Sequence, residues 1–426
     1  MRPLFERPAP GHGQARSSPT PSLAPRRVVV TGAGILTALG CGWETNAAGF
    51  RAGRQAFRPV RLFDVSAQRA KQAAEIDLPS ALPPNALSAK SRRRLSRASR
   101  LLLWAAAEAH RQADWPPGAE WSLVLGTTSG GMESGEIYYQ RAAAAPPQRR
   151  HQPTRAAQYQ AQAQALDLLE ALNGRGPATL LTNACASGAN AIGHAWDLVR
   201  SGQADRVLCG GYDTLSQLVF AGFDSLQALS TTLCRPFDLH RDGLALGEGA
   251  AILALENPQS AQARGATILA EIAGYGTATD AHHLTQPHPD GDAALQAMTA
   301  CCHAGGIRVQ EVAYINAHGT GTAHNDASEA RAIERWAGHS VASLDVSSVK
   351  GSIGHLLGGA GAVEAVVCLM VLQENWLPPE PMVEHVDPVC RFRLVRTPSS
   401  ARPGVVLSNS FGFGGANATL AFRRWV

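Results

Sequence analysis

From residue 27 onward, short apolar runs alternate with glycine turns and alanine-rich stretches. This is the alternation expected of an α/β protein. Residues 27–31 read as a buried strand ending at Gly32. Residues 122–126, 206–210 and 250–255 read as further strands, and 101–113 as a helix with an apolar body around Leu101, Leu102 and Leu103. Beyond residue 271 the pattern predicts strands over 312–316 and 405–408 and a long helix over about 359–373. Two segments read as insertions or flexible cover: 141–164, rich in Arg, Ala, Pro and Gln, and 377–388.

This pattern divides the chain into a disordered tail (1–25), an N-terminal half (26–270) and a C-terminal half (271–426). Each half delivers one reactive residue at a strand-to-turn junction, Cys185 in the first and His318 in the second. No sequence repetition relates the halves, so duplication is a suspicion only. The tail is rich in Pro, Ser, Arg and Gly, without the apolar core of a secretory signal. Being basic and nearly free of acids, it leaves a transit peptide as the alternative.

Composition narrows the class. The chain has 426 residues, 45% apolar and 17% charged, which is globular and large enough to bury a substrate channel. A net charge of +4 gives no reason to expect nucleic acid as a partner. The longest apolar run, 365–372, is too short to span a bilayer. The 8 cysteines are scattered with no CxxC pair, which argues against a zinc knuckle or a thioredoxin motif. They read as free thiols in a reducing, cytoplasmic setting.

Four segments carry candidate chemistry. Asn183-Ala-Cys-Ala-Ser-Gly188 places Cys185 between an apolar strand and a helix that starts with small residues. A helix N-terminus lowers a thiol pKa, and its N–H groups can receive an oxyanion. The bland alternative is a buried structural cysteine. The stretch 312–322 delivers His318 to a strand end, followed by Gly-Thr-Gly-Thr; an incidental turn histidine is the alternative. The third segment, 347–364, carries Lys350 and His355 in a glycine-rich approach to an apolar helix. There a surface lysine and a capping histidine are the alternatives. The fourth, 408–417, is a glycine loop with two phenylalanines, suited to placing an N–H near a reacting carbonyl.

Taken together and in this order, these segments resemble the beta-ketoacyl-acyl-carrier-protein synthases of the thiolase-like superfamily, in particular the elongating (FabF) type. The likeness runs over about 27–422, and includes 27–40, Arg235-Pro-Phe-Asp238, Arg241-Asp-Gly243, Gly247-Glu-Gly249 and 279–285. It implies an α/β fold of five layers (αβαβα), a duplication with two mixed central sheets. It implies a Cys-His-His site with Cys185 as nucleophile and His318 and His355 as the histidines. Lys350 matches the family lysine, Glu329 the acid that orders it, and Phe413 the gating phenylalanine that shares the oxyanion hole with Cys185. Thr320 and Thr322 match the threonines that hold the pantetheine arm.

The reaction implied is a decarboxylating Claisen condensation between an acyl group on Cys185 and malonyl-acyl carrier protein. No metal is needed, because loss of CO2 itself creates the carbanion. No cofactor belongs to the chain, because phosphopantetheine is carried by the acyl carrier protein. Such carriers are acidic, and the cluster Lys90, Arg92, Arg93, Arg94, Arg97 and Arg100 falls where the family docks them, with Lys90, Arg93 and Arg94 foremost. A solvated helix face is the bland reading of the same charges. The family forms homodimers; a heterodimer with an inactive paralogue is the alternative.

Two departures stand out. The stretch 228–237 is shorter than in housekeeping synthases and holds Cys234, to which no role attaches. Residues 141–164 lie where a dimer partner often shapes the acyl pocket. Both suit a specialised type II polyketide or polyene synthase as readily as fatty-acid elongation. Other classes fit worse. Gly32 and Gly34 invite a dinucleotide turn, but Thr37 follows and no acid ends a second strand near Arg51. A degradative thiolase would use a second late cysteine, an initiating synthase would have Asn in place of His355, and a non-catalytic chain-length subunit usually lacks the nucleophile.

Overall fold

The computed structural model describes residues 25–144, 153–380 and 382–426. The expected tail therefore lies outside the described residues but for its last one, and so does the middle of the 141–164 segment. Ten strands carry the fold. In the first half they are β1 (Val28–Thr37), β2 (Ser122–Gly126), β3 (Ala178–Leu181), β4 (Arg206–Asp213) and β5 (Gly249–Glu256). In the second they are β6 (Ala270–Thr279), β7 (Val312–Asn316), β8 (Asp345–Ser347), β9 (Val405–Phe411) and β10 (Ala416–Arg423).

The first set lies in the order β3-β2-β4-β5-β1 and the second in the order β8-β7-β9-β10-β6. These are the same permutation. The pairing senses also agree: the first three strands of each set are parallel, and the last two are antiparallel to their neighbours. The duplication suspected from paired strand-to-turn junctions is thus present in topology. The two sheets are continuous at one corner, where Val28, Val29 and Val30 of β1 pair with Ile272, Glu271 and Ala270 of β6.

Helices fill the remaining layers. α1 (Arg97–Ala113) covers the outer face of the first sheet and α2 (Ala161–Leu172) packs on α1. α4 (Asp292–Ala304) covers the second sheet and packs on α5 (Ala323–Ala337). Between the sheets lie α3 (Ser187–Arg200) and α6 (Ala360–Glu374). Residues 360–372 of α6 are buried on every side, the condition under which a helix can be apolar all round. The stretch Leu357–Glu374 has the length and hydropathy of a membrane span, but 89% of it is buried as the middle layer.

Several expectations need correction. β1 does not end at Gly32 but continues to Thr37. A Cβ on Gly32 or Gly34 would strike the carbonyl oxygens of Ala109 or Ala105 at 2.2 and 2.0 Å. These glycines let α1 lie directly on the strand and do not form a turn. The 141–164 segment includes the helix Pro153–Tyr159 and the start of α2, so its described parts are regular. The described residues of 377–388 are not loose cover. Leu377 and Glu380 are buried, the Glu380 carboxylate accepts the Ser348 N–H at 2.7 Å, and Asp387 pairs with Arg241 at 2.6 Å.

Candidate active site

Because the halves share a topology, their corresponding turns converge between the sheets. Cys185 stands in the turn between β3 and α3, and His355 in the matching turn between β8 and α6. His318 follows β7, and Phe413 follows β9. Cys185, His318, His355, Phe413, Thr320 and Thr322 all line one cavity of about 360 Å3. The sequence-predicted core of the site is therefore brought together.

The cysteine turn is tight. Ala184 adopts φ 54°, a left-handed conformation uncommon outside glycine. It swings the next residue to the helix entrance. The N–H groups of Phe413 and of Cys185 itself pull the sulfur's pKa down. These two donors are suited to receive an oxyanion on a carbonyl attached there. The low thiol pKa expected from the helix N-terminus is not what the burial gives. Desolvation pushes the thiol up to about 11, against the pull of Lys350 and the two N–H groups. The resting group is a thiol.

The histidines are fixed in one tautomer each. The Leu357 N–H donates to His355 Nδ1 at 3.1 Å, so the ring proton resides on Nε2. That Nε2 is buried without a partner among the described residues. Lys350 Nζ lies 3.4 Å from His318 Nδ1, and an ammonium only donates, so His318 likewise carries its proton on Nε2. The rings sit 5.3 Å apart, nearly perpendicular. Burial first, and then the Lys350 charge, hold both far below the usual imidazole pKa, so both are neutral.

Lys350 is only 1% exposed. Its Nζ donates to the His318 carbonyl at 2.6 Å and pairs with Glu364, the first acid of α6. The resemblance had given the ordering role to Glu329. The geometry puts Glu364 there instead. Glu329 accepts the N–H groups of His318 and Gly319, both at 2.8 Å, and the Asn409 side chain at 3.1 Å. It holds the backbone of the histidine turn, and burial pushes its carboxyl up to about 7.

Two further carboxylates had been given no role. Asp326 accepts from the N–H groups of Thr320, Gly321 and Phe237, fixing the threonine turn. Asp213 accepts from Thr127 Oγ1, from Ser129 Oγ, and from the N–H groups of Thr128, Ser129 and Gly358. It ties the turn after β2 to the turn before α6. Both are buried acids after or beside glycine and threonine turns, and only three-dimensional convergence distinguishes them from surface acids. Thr320 and Thr322 bond to each other through their hydroxyls at 2.9 Å. Phe413 stacks on Phe223, ring centroids 5.7 Å apart. Cys234 is buried, its thiol donating to the Thr320 carbonyl at 3.6 Å, and burial pushes it up to about 12; it is packing beneath the threonine turn.

The basic cluster divides. Lys90, Arg92, Arg93 and Arg94 are exposed, on and after the short helix Ala89–Arg92. Arg97 turns inward to the buried Glu248, and Arg100 donates to the Pro79 carbonyl at 3.1 Å. Those two hold the fold and are not free for a partner.

Comparison with known proteins now bears on this arrangement. Residues 25–261 match the family model described as "Beta-ketoacyl synthase, N-terminal domain", and 269–384 match "Beta-ketoacyl synthase, C-terminal domain". The chain belongs to the beta-ketoacyl synthase family. Among similar proteins, "3-oxoacyl-[acyl-carrier-protein] synthase 2" of Synechocystis sp. is 37% identical over 95% of this chain and 99% of its own. "Nodulation protein E" of Rhizobium sp. is 39% identical over 94% of this chain and 99% of its own. The solved "ishigamide ketosynthase/chain length factor" superposes with a TM-score of 0.88 at 33% identity, covering 95% of this chain and 100% of that one. This beta-ketoacyl synthase therefore has the thiolase-like fold that its motifs implied.

Proposed function

We propose that this synthase joins an acyl group held on Cys185 to a malonyl unit held on an acyl carrier protein, lengthening the chain by two carbons. The observation that carries the proposal is the pair of neutral imidazoles, each with its proton on Nε2, lining one cavity with Cys185. In the first step the Cys185 sulfur attacks the acyl thioester, and the N–H groups of Cys185 and Phe413 receive the oxyanion. The carrier thiol departs with the proton that Cys185 gives up.

In the second step the malonyl C–C bond to the carboxylate breaks and CO2 leaves. Its electron pair flows into an enolate, whose oxygen accepts from His318 and His355. The enolate carbon then attacks the Cys185 thioester, the sulfur leaves, and the 3-ketoacyl product remains on the carrier. Neutral donors suit this task, because an imidazolium would surrender its proton to the enolate and quench it. Thr320 and Thr322, lining the same cavity, hold the amides of the pantetheine arm. Lys90, Arg93 and Arg94 offer the carrier its docking charge. The solved complex titled "type II PKS acyl-carrier protein in complex with its ketosynthase" supports a partner of that class, at 25% identity and a TM-score of 0.84. The partner reading extends to a homodimer of this chain.

The test is direct. With acyl- and malonyl-carrier protein, intact mass spectrometry should show an acyl adduct on Cys185 and a 3-ketoacyl product two carbons longer. Cys185→Ala should lose both. Product formed at the wild-type rate by that variant would end the proposal.

A further inference from the structure

The turn that carries Cys185 and the turn that carries His355 are both held in a conformation that their residues do not prefer. Ala184, just before Cys185, has φ 54°, and Leu357, whose N–H fixes the His355 tautomer, has φ 52°. Residues other than glycine seldom enter this left-handed region, and they persist there only where the surroundings over-determine them.

One buried carboxylate reaches both turns. Asp213, at the end of β4, is 0% exposed. Its Oδ1 accepts from Thr127 Oγ1 and Ser129 Oγ, both at 2.7 Å, and from the Ser129 N–H at 2.9 Å. Its Oδ2 accepts the N–H groups of Thr128 at 2.8 Å and of Gly358 at 2.7 Å. From Thr128 the path runs on to the nucleophile, because Thr128 Oγ1 donates to the Ala184 carbonyl at 3.0 Å. The N–H and Oγ of Ser187 also donate to that carbonyl, but from within the turn, so Thr128 anchors it from outside. Gly358 directly follows Leu357, so its bond to Asp213 pins the peptide beside the N–H that His355 Nδ1 accepts. The backbones meet closely here: a Cβ on Gly358 would lie 2.5 Å from the Thr128 nitrogen. Three of the five groups on Asp213 are N–H donors, so an amide in its place would turn its own NH2 against at least one of them.

We propose that Asp213 is a positioning residue for both half-reactions, holding the Cys185 turn through Thr128 and the His355 turn through Gly358. The inference rests on the proposed reaction and adds to it a group that touches no substrate. Condensation needs the carbonyl on Cys185 and the enolate held by the histidines in register, yet these residues come from opposite halves of the fold. A carboxylate of the first half that bonds the backbone of the second keeps them so. Misplacing reacting groups by a fraction of their contact distance is costly in rate.

The experiment follows the two half-reactions separately in the full-length protein. Acyl transfer from acyl-carrier protein to Cys185 is read by mass, and CO2 release from malonyl-carrier protein is read in a Cys185→Ala background. Thr128→Val breaks the cysteine arm alone, at an exposed residue. It should slow acylation about tenfold in kcat with KM within about twofold, and leave CO2 release within about twofold. Thr128→Ser, which keeps the hydroxyl, should restore the rate. Asp213→Asn should slow both half-reactions about tenfold in kcat, again with KM little changed, in protein that a melting curve shows to be folded. Should Asp213→Asn not fold, Gly358→Ala takes its place, since the added Cβ wedges the same two turns apart and should slow both. Wild-type kcat for both half-reactions in folded Asp213→Asn or Gly358→Ala overturns the positioning role, and so does Thr128→Val slowing both alike. A wild type that performs neither half-reaction is a different result, and counts against the reaction itself.

Discussion

At the scale of single residues, the site separates two demands on ionisation. In the proposed reaction Cys185 must lose a proton, whereas the histidines must keep theirs on Nε2 and gain no second one. Burial acts on all three in the direction that opposes charge: it raises the Cys185 thiol to about 11 and lowers both imidazoles. Below pH 11 the thiolate fraction should rise about tenfold per pH unit. Iodoacetamide labelling of Cys185, followed by peptide mass spectrometry, should climb at that slope from pH 7 to 9. The imidazoles, held well below 6.5, stay neutral as pH falls from 8 to 6. Release of CO2 from malonyl-carrier protein by Cys185→Ala should therefore be flat over that range. An acid limb centred near 6.5 would mean that the rings titrate as ordinary histidines.

The same low-dielectric setting makes the Lys350–Glu364 pair costly to break on one side. Both side chains are nearly fully buried, and Lys350 also grips His318 through its carbonyl and Nδ1. Glu364→Gln should cost about 3 kcal/mol of stability, read as a lower urea midpoint at unchanged slope. Replacing both partners, Lys350→Met with Glu364→Gln, should recover part of that loss, since no buried charge remains. It should still abolish condensation, because His318 then loses the donor that fixes its tautomer. If the double variant is less stable than Glu364→Gln alone, the lysine is held by something other than its acid.

At the scale of elements, periodicity disclosed the strands and helices whose apolar faces are long. It missed those whose meaning depends on a neighbour. The helix expected over 101–113 begins at Arg97, because Ser96 caps it by accepting the Ser99 N–H. α4 and α5 went unseen. α5 is a helix of mixed charge, with its apolar side confined to residues such as Ala330, Ile333 and Trp336. Gly32 and Gly34 looked like a turn because a sequence does not show that a helix backbone will lie on them. That Cys185, His318 and His355 stand at element-to-turn junctions was legible, since a strand-to-turn junction with small residues is a local pattern. Glu364 was not, because its partner is defined by the crossing of α6 with the Lys350 turn.

The basic segment tests how far local charge alone can be read. Of its six cations, Arg97 and Arg100 are committed to the interior or to carbonyls and Arg92, though exposed, donates to the Leu87 carbonyl at 3.0 Å, leaving Lys90, Arg93 and Arg94 exposed. Exposed charges steer an acidic partner without touching the chemistry. Arg93→Glu with Arg94→Glu should raise KM for carrier-bound acyl groups by about tenfold at low salt and by less at high salt, as screening shortens the reach of the charges. Self-acylation by a small thioester should be little changed. Equal losses on both substrates would place these arginines in folding and not in docking.

At the scale of the whole molecule, the duplication was hidden because topology repeats where sequence does not. The two sets of five strands share one order and one pattern of pairing senses, and their matching turns supply Cys185 and His355. That symmetry also leaves an unpaired edge. Among the described residues β3 pairs with β2 on one side only, and its residues after Ala178 are half-buried. Helices on the described surface add Tyr139, 74% exposed, Leu218, 60%, and Tyr159, 43%, around an apolar groove of about 780 Å3. Soluble monomers rarely leave such a patch or a bare apolar edge open, since both invite association. A two-fold axis would cover the groove with its own counterpart and set the two β3 edges against each other. The chain purified alone should therefore sediment as a dimer, and Tyr139→Glu with Leu218→Glu should shift it toward monomer at micromolar concentration. A wild-type chain that stays monomeric until a related subunit is added would make the proper occupant of this face a paralogue, and the self-paired arrangement would fall.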